Sequence, residues 1–153
     1  MPVVIAPERP DSPDAVRLID ELESILDPLY PKTSRHGLSV EKLIVERVHF
    51  FVIRSDGEAA GCGGVKFYGG EYAEVKRMYI RPSFRGIGLA RLMLDHLAET
   101  TRHLGVTLLR LETGIHQREA IGLYESWGFR RIAPFGEYKE DPLSLFFEKQ
   151  LSS

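Results

Sequence analysis

The segment Arg85-Gly86-Ile87-Gly88-Leu89-Ala90 decides how the rest of the chain is interpreted. It lies between a strand-like run that ends at Pro82 and a long amphipathic helix pattern. Glycines let the backbone approach a ligand closely, and the free N–H groups and dipole of a helix start attract an anion. Arg85 adds a guanidinium group that suits phosphate oxygens. The segment therefore predicts an anion-binding loop, and a pyrophosphate is the natural ligand.

Two common phosphate-binding motifs do not match this loop. A dinucleotide fingerprint that began at Gly86 would need glycine at position 91, where this chain has Arg91. A Walker A loop would end in Gly-Lys-Ser or Gly-Lys-Thr, and neither follows. The pattern that fits is [Q/R]-x-x-G-x-[G/A], with Arg85, Gly88 and Ala90 at its defining positions. This pattern resembles motif A of the GNAT family of N-acetyltransferases, which hold the coenzyme A pyrophosphate there.

The segments on either side extend the resemblance. The upstream run Tyr72–Pro82 resembles the fourth strand of the GNAT fold, including its final proline. The downstream run Gln117–Phe129 contains A-x-x-L-Y-x-x-x-G-F, which resembles motif B. The three segments occur in the family's order, and the resemblance covers about residues 40–149.

Apolar spacing and turn residues predict the secondary structure. The predicted helices are Ser12 to about Leu29, Val40–Glu46, Gly88 to about His103, and Gln117–Trp127. The third helix is predicted from an apolar stripe of Ala90, Met93, Leu94, Leu97 and Leu104. The predicted strands are Phe50–Arg54, Ala59–Phe67, Tyr72–Ile80, Thr107–Glu112, Phe129–Ile132 and Leu143–Glu148, the first two joined by an Asp56-Gly57 turn.

This order of elements indicates a layered α/β or α+β domain. The resemblance implies the GNAT fold in particular, with a central, mostly antiparallel mixed sheet of about six or seven strands and about four flanking helices. In that fold the sheet is splayed between strands 4 and 5. We expect residues 1–153 to form one N-acetyltransferase domain.

Composition narrows the functional class. The 153 residues include 20 basic and 22 acidic side chains, a net charge of −2, so no overall field favours nucleic acid or an anionic membrane. The single cysteine, Cys62, excludes an internal disulfide, and neither it nor the five histidines show the spacing of a metal site. No leader pattern or membrane-length apolar run is present. We therefore expect a cytoplasmic protein without a bound metal.

The resemblance implies direct attack of an amine on the acetyl-CoA thioester in a ternary complex. Glu74 matches the catalytic glutamate of the histone-acetylating branch and is the predicted base. Tyr124 stands at the motif B tyrosine and is predicted to stabilise the leaving thiolate, besides contacting the cofactor. A strand glutamate paired with a neighbouring cation and a tyrosine packed in the core are the structural alternatives.

The remaining predicted cofactor contacts also follow from the resemblance. In GNAT proteins a bulge in the fourth strand frees a backbone N–H for the thioester oxygen, here expected at Met78 or Tyr79. Ile80 is expected to pair with the pantetheine amides. Gln117 replaces the asparagine that often touches pantetheine, which keeps an amide but changes its reach. The rest of the cofactor site is the loop Arg85–Ala90.

The acceptor is less well determined by the sequence. Arg35, His36, Lys76 and Arg77 are cationic groups available to an acceptor carboxylate, and Tyr138 lies in a loop before the last strand. A small-molecule primary amine is the favoured acceptor. Acetylation of a protein N-terminus or lysine, and a non-catalytic acyl-CoA-binding protein, are the alternatives. The family resemblance also favours a homodimer over a monomer.

Overall fold

The computed structural model describes residues 2–152. Its helices are α1 (Pro13–Leu26), α2 (Val40–Val45), α3 (Leu89–His103) and α4 (Arg118–Trp127). Its strands are β1 (Val3–Pro7), β2 (His49–Ser55), β3 (Glu58–Tyr68), β4 (Tyr72–Ile80), β5 (Leu108–Gly114), β6 (Arg130–Ile132) and β7 (Ser144–Gln150). Single 3₁₀ turns occur at Lys32–Ser34 and Pro82–Phe84.

The strands form one sheet in the order β1-β2-β3-β4-β5-β7-β6. Neighbouring strands are antiparallel except for β4 and β5, which run parallel. The parallel pair is joined only at Ala73 with Leu109 and at Glu74 with Arg110, and the two strands diverge beyond these positions. The predicted mixed α/β architecture, with its splay between strands 4 and 5, is therefore confirmed in residues 2–152.

Strand β4 carries a β-bulge at Arg77 and Met78, which together lie opposite the single residue Gly63 of β3. Arg77 has a φ of 53°, an uncommon value for a residue other than glycine. In a regular strand Val75 and Tyr79 would face the same side of the sheet. Here Val75 packs in the core under α3 and α4, whereas Tyr79 packs in the core under α1 and α2. The bulge thus redirects the end of β4 where the strands separate.

Helices cover both faces of the sheet. On one face α3 packs through Met93, Leu94 and Leu97, all fully buried, and α4 packs beside it. On the other face α1 packs through Leu18 and Ile19. The gap where β4 and β5 separate therefore lies between α1 on one face of the sheet and α3 and α4 on the other.

Strand β1 was not predicted from the sequence. It pairs antiparallel with β2 at the edge of the sheet, and Val4 is 58% exposed. A five-residue edge strand buries little apolar surface, and its partner lies about 50 residues away in the chain. The short apolar run of β1 therefore carries no local sequence pattern that distinguishes a strand from an irregular segment.

Two predicted helix details were wrong. Helix α1 ends at Leu26 instead of Leu29, because Pro28 has no N–H group with which to continue the helix. Leu104 does not belong to the buried stripe of α3 and is 50% exposed. Gly105 follows it with a φ of 85°, so the chain already turns away from the helix there.

Candidate active site

The separation of β4 and β5 opens a cleft of about 1410 Å³. Its walls come from α1 and the following loop, the bulged end of β4, the start of α3, the end of β5, and α4. Most predicted cofactor contacts line it: Met78, Tyr79, Ile80, Arg85, Gly86, Gly88, Leu89, Ala90, Gln117 and Tyr124. Ile87 lies outside this lining and is 51% exposed. The fold thus brings the β4, motif A and motif B residues to one cavity.

The anion-binding loop keeps its backbone open at the start of α3. Gly86 and Gly88 have φ values of 82° and 86°, and a β-carbon on either would meet no atom within 4 Å. Arg85 is anchored by its Nε, which donates to the carbonyl oxygen of Ile80 at 2.9 Å, while its side chain is 43% exposed. Open backbone N–H groups beside a helix start and a partly exposed guanidinium fit the diphosphate of coenzyme A.

Tyr124 lies on α4 with its ring in the core and borders the cleft. The ring packs against Phe129 and Phe147, at centroid distances of 5.7 and 6.4 Å. Burial raises the pKa of Tyr124 well above its ordinary value, and the charge of Glu112 raises it further. The phenol is therefore held in its protonated form at neutral pH, as a proton donor beside the cleft.

Glu112 is a cleft residue that the sequence did not indicate. It lies on β5 and accepts a hydrogen bond at Oε2 from Ser144 Oγ at 2.9 Å. Burial raises its pKa to about 7, against the opposing effects of the Ser144 hydrogen bond and the Lys76 charge. Glu74 and Asp141 contribute further upward shifts of this pKa. A carboxyl group that titrates near neutrality inside a cleft is a candidate acid or base.

Glu74 lies in a different environment, beside a smaller cavity of about 550 Å³. Its side chain is almost fully buried and accepts hydrogen bonds from the hydroxyls of Tyr68, at 3.2 Å, and Tyr138, at 2.5 Å. Lys76 Nζ is 3.1 Å from Glu74 Oε2 and donates to the Tyr138 hydroxyl at 2.9 Å. Glu74, Lys76 and Tyr138 therefore form one buried polar cluster, and none of them lines the large cleft.

Arg35, His36 and Arg77 line the large cleft beside α1. Both guanidinium groups pair with the carboxylate of Glu23 on α1, and Arg35 also contacts Asp27 at 2.7 Å. Arg77 donates from Nε to the Leu38 carbonyl oxygen at 2.8 Å, and burial lowers its pKa to about 10.

His36 packs edge-on against the Tyr138 ring and borders both cavities. Burial, and next the charge of Lys76, lower the pKa of His36. The cationic residues predicted to bind the acceptor are thus divided between the two cavities, with the loop around His36 between them.

Tyr30 was also missed by the sequence interpretation. It follows α1, is 6% exposed, and lines the cleft. Its hydroxyl donates to Gln117 Oε1 at 2.5 Å and accepts from the backbone N–H of His116 at 2.9 Å. These two bonds, called here the Tyr30 bridge, join the end of α1 to the segment between β5 and α4. Gln117 therefore has its amide oxygen engaged by protein.

The splayed sheet and the open loop at the start of α3 define an acyltransferase of the type that uses a coenzyme A thioester. Comparison with known proteins agrees with this class. The model of the acetyltransferase (GNAT) family matches residues 19–129, and the chain belongs to that family. It is therefore an N-acetyltransferase.

Similar proteins extend over the whole chain. The chain is 42% identical over 150 residues to the IAA acetyltransferase of Azospirillum brasilense, covering 97% of this chain and 98% of that protein. A solved candidate acyl-CoA N-acyltransferase from Klebsiella pneumoniae subsp. pneumoniae is 34% identical, with a TM-score of 0.84 and coverage of 98% of both chains. The PaiA N-acetyltransferase of Thermoplasma acidophilum, solved in complex with coenzyme A, has a TM-score of 0.78 at 18% identity, covering 98% of this chain and 99% of that one. The last likeness shows the shared fold.

Two features are absent from residues 2–152. No helix there is both long and apolar enough to cross a membrane. Within the same residues, no cluster of three or more His, Cys, Asp or Glu side chains is placed to hold a metal ion.

Proposed function

We propose that the protein transfers an acetyl group from acetyl-CoA to a primary amine of a small molecule, by direct attack in a ternary complex. The observation that carries the proposal is the presence of Glu112 and Tyr124 in the same cleft as the anion-binding loop. Tyr124 is a buried neutral phenol, and Glu112 has a pKa of about 7. One group is thus suited to donate a hydrogen bond and the other to take a proton.

The donor is held, in this proposal, by the backbone of Gly86–Ala90 and by Arg85 at the diphosphate. The backbone of Met78–Ile80 and the side-chain amide of Gln117 are the proposed contacts along the pantetheine arm. Acetyl-CoA, when bound, supplies the acetyl group as an activated thioester. The coenzyme A in the Thermoplasma structure supports this assignment, because that protein has the same fold.

Glu112 is proposed as the base that takes a proton from the acceptor nitrogen. An ordinary alkylammonium has a pKa of about 10.4, so proton transfer to a carboxylate is uphill. Raising the pKa of Glu112 from 4.5 to about 7 makes that transfer less unfavourable by about 3 kcal/mol. The Ser144 hydrogen bond holds Oε2 in place and leaves Oε1 for the amine or for a relaying water.

Glu74 remains a predicted base that no observation tests, and its surroundings favour Glu112 for that role. Both Glu74 oxygens already accept hydrogen bonds from tyrosines, and one also pairs with Lys76. Both oxygens of Glu74 are therefore already engaged, and the residue does not line the large cleft. We therefore propose that Glu74 positions the Tyr138 loop.

Tyr124 is proposed to hydrogen-bond the departing thiolate. A thiol has an ordinary pKa of about 8.5, below that of a phenol, so full proton transfer from Tyr124 is unfavourable. A hydrogen bond with partial transfer avoids this cost, and burial of the phenol strengthens it. The raised pKa of Tyr124 keeps the proton on the hydroxyl until the thiolate forms.

A small acceptor is supported by the Tyr30 bridge in the wall of the cleft. The Tyr30 bridge joins the end of α1 to the β5–α4 segment, and in this proposal it limits the room for an extended polypeptide. The Azospirillum relative is named for a small molecule, which agrees with this size limit. Arg35, His36 and Arg77 are the proposed acceptor contacts in the large cleft.

The proposal is tested by measuring thiol release from acetyl-CoA with a panel of amino acids, polyamines, aminoglycosides and peptides. Release with a small amine, and mass-spectrometric detection of its acetylated product, are the expected results. Release only with peptides would favour a protein acetyltransferase. Tight coenzyme A binding without acceptor-dependent release across the panel would favour a non-catalytic acyl-CoA-binding protein.

A further inference from the structure

We propose that Tyr30 is a positioning residue that couples coenzyme A binding to the ordering of the loop at the acceptor end of the cleft. This loop, residues 31–39, is called the acceptor loop. The inference rests on the proposed function, because it takes the β5–α4 segment as part of the cofactor site. It adds to that function a physical connection between the coenzyme A site and the acceptor site.

The first observation is the position of the Tyr30 hydroxyl. It donates to the side chain of Gln117 and accepts from the backbone of His116, 87 and 86 residues further along the chain. The Tyr30 ring also packs against the His116 ring, with centroids 5.4 Å apart. Both hydrogen bonds of the phenol are therefore made to the segment that precedes α4, and not to α1, which Tyr30 follows.

The second observation is the close fit between Tyr30 and Gly114. A β-carbon at Gly114 would overlap the Tyr30 phenol. Gly114 is the last residue of β5, so the phenol lies directly on the strand end that leads into the cofactor segment. The absence of a side chain at this position is what lets the bridge form.

The third observation concerns two contacts of the acceptor loop with β4, besides the Arg35 pairs with Glu23 and Asp27 described above. Arg77 donates to the Leu38 carbonyl oxygen, and Lys76 Nζ lies 3.5 Å from the His36 carbonyl oxygen. Those contacts attach the loop to β4, on one side of the cleft. The Tyr30 bridge attaches the beginning of the loop to the opposite side, beside β5 and α4.

These contacts make the two sites energetically dependent on each other. A ligand that binds the 114–117 segment reduces the motion of the groups that hold Tyr30, and so stabilises the start of the acceptor loop. By linkage, an acceptor that orders the loop raises the affinity for coenzyme A by the same factor. Two hydrogen bonds of ordinary net strength allow a coupling of about tenfold.

The test uses hydrogen–deuterium exchange with coenzyme A as the probe. In the wild-type protein, coenzyme A is expected to slow exchange in peptides from residues 114–124 and also in peptides from the acceptor loop. Tyr30→Phe keeps the ring but removes both hydrogen bonds. We expect this variant to retain cofactor-dependent protection at 114–124, to lose it in the acceptor loop, and to bind coenzyme A up to about tenfold more weakly.

Asp95→Ala provides a matched control. It removes an inter-helix hydrogen bond of 2.9 Å, between Trp127 Nε1 and Asp95 Oδ1, at an exposed position on α3. This variant loses a bond to α4 outside the cleft, so its cofactor-dependent exchange is expected to match the wild type. A loss of loop protection in both variants would mean that any loosening of α4 has this effect, and would overturn the specific role of Tyr30.

Other outcomes separate the coupling from the proposed function. Protection at 114–124 without protection of the acceptor loop in the wild type would overturn the coupling while leaving the cofactor site intact. Unchanged loop protection in Tyr30→Phe would do the same. If the folded wild-type protein failed to bind coenzyme A in calorimetry, the proposed function itself would fail. Should Tyr30→Phe not fold, Gln117→Leu removes the side-chain acceptor of the bridge. Because Gln117 is also a proposed pantetheine contact, this variant is measured at a coenzyme A concentration that saturates it, where protection at 114–124 is expected to remain and protection of the acceptor loop to be lost.

Discussion

The phenol of Tyr30 occupies the space that a side chain at Gly114 would need. We therefore expect Gly114→Ala to lower the free energy of unfolding by about 1–3 kcal/mol, as overpacking in a filled site does. Urea denaturation measures the change. The matched control is Gly122→Ala on α4, where a β-carbon meets open space and the helix gains about 1 kcal/mol. Equal effects of the two variants would contradict the tight Tyr30–Gly114 contact.

Glu112→Gln is expected to reduce kcat/KM by about 10²- to 10⁴-fold, the range that a general base supplies. In the wild type the rate should fall as the pH drops below about 7, because the Glu112 carboxylate becomes protonated. That inflection should be missing from the variant. Stopped-time thiol release between pH 5.5 and 9 measures both.

The comparison with Glu74→Gln decides between the two carboxylates. Removing the charge of Glu74 leaves Lys76 buried without its partner, which is expected to destabilise the fold by about 3 kcal/mol. If Glu112 is the base, the folded fraction of this variant keeps the inflection near pH 7. Loss of the inflection in Glu74→Gln together with its retention in Glu112→Gln would return the role of base to Glu74.

The same Glu112→Gln variant should be more stable than the wild type at high pH. Glu112 binds its proton more tightly in the folded chain, where its pKa is about 7 instead of 4.5. The free energy of unfolding of the wild type therefore falls as the pH rises through this window. We expect the variant to be more stable by about 1–3 kcal/mol at pH 8 and close to the wild type at pH 4. Glu58→Gln, at an exposed position, is the control and should leave the stability unchanged. If Glu112→Gln were less stable than the wild type at pH 8, the buried Glu112 carboxylate would not be destabilising.

Tyr124→Phe is expected to lower kcat by about ten- to a thousandfold with little loss of acetyl-CoA affinity. The substitution keeps the ring that packs against Phe129 and Phe147 and removes only the hydroxyl. Steady-state kinetics and calorimetry separate the two effects. An unchanged kcat would remove Tyr124 from the mechanism.

Gly88→Leu is expected to abolish coenzyme A binding, because the side chain would fill the open surface of the anion-binding loop. Gly57→Leu controls for backbone strain. Gly57 also has a positive φ, 82° against 86° for Gly88, and open space at its β-carbon, but it lies in the β2–β3 turn outside the cleft. Calorimetry should show normal coenzyme A binding for Gly57→Leu and none for Gly88→Leu. Micromolar binding by Gly88→Leu would rule out the loop as the diphosphate site.

The sequence predicted those parts of the site that are encoded by contiguous residues. Gly88 and Tyr124 could be found because the loop before α3 and the body of α4 each carry a local pattern. Glu112 could not, because its raised pKa comes from burial, and only the folded sheet creates that burial and brings Ser144 of β7 within hydrogen-bond distance. Tyr30 was missed for the same reason, since its two partners are more than 80 residues away.

The secondary structure shows the same contrast between elements set by neighbouring residues and elements set by partners far along the chain. Hairpin strands and the capped starts of helices were predicted closely, as with the start of α1, whose first turn is capped by Ser12. Strand β1 depends on a partner about 50 residues away and was not predicted.

The bulge at Arg77 also constrains how this chain can change in evolution. Since one extra residue lets β4 serve one core through Val75 and the other through Tyr79, straightening the strand without removing a residue would exchange the sides on which its later side chains emerge. Tyr79 would then lie against α3, and Ile80 against α1. Deletion of one bulge residue would instead leave Tyr79 and Ile80 on their present sides, so β4 can lose the extra residue only together with the bulge.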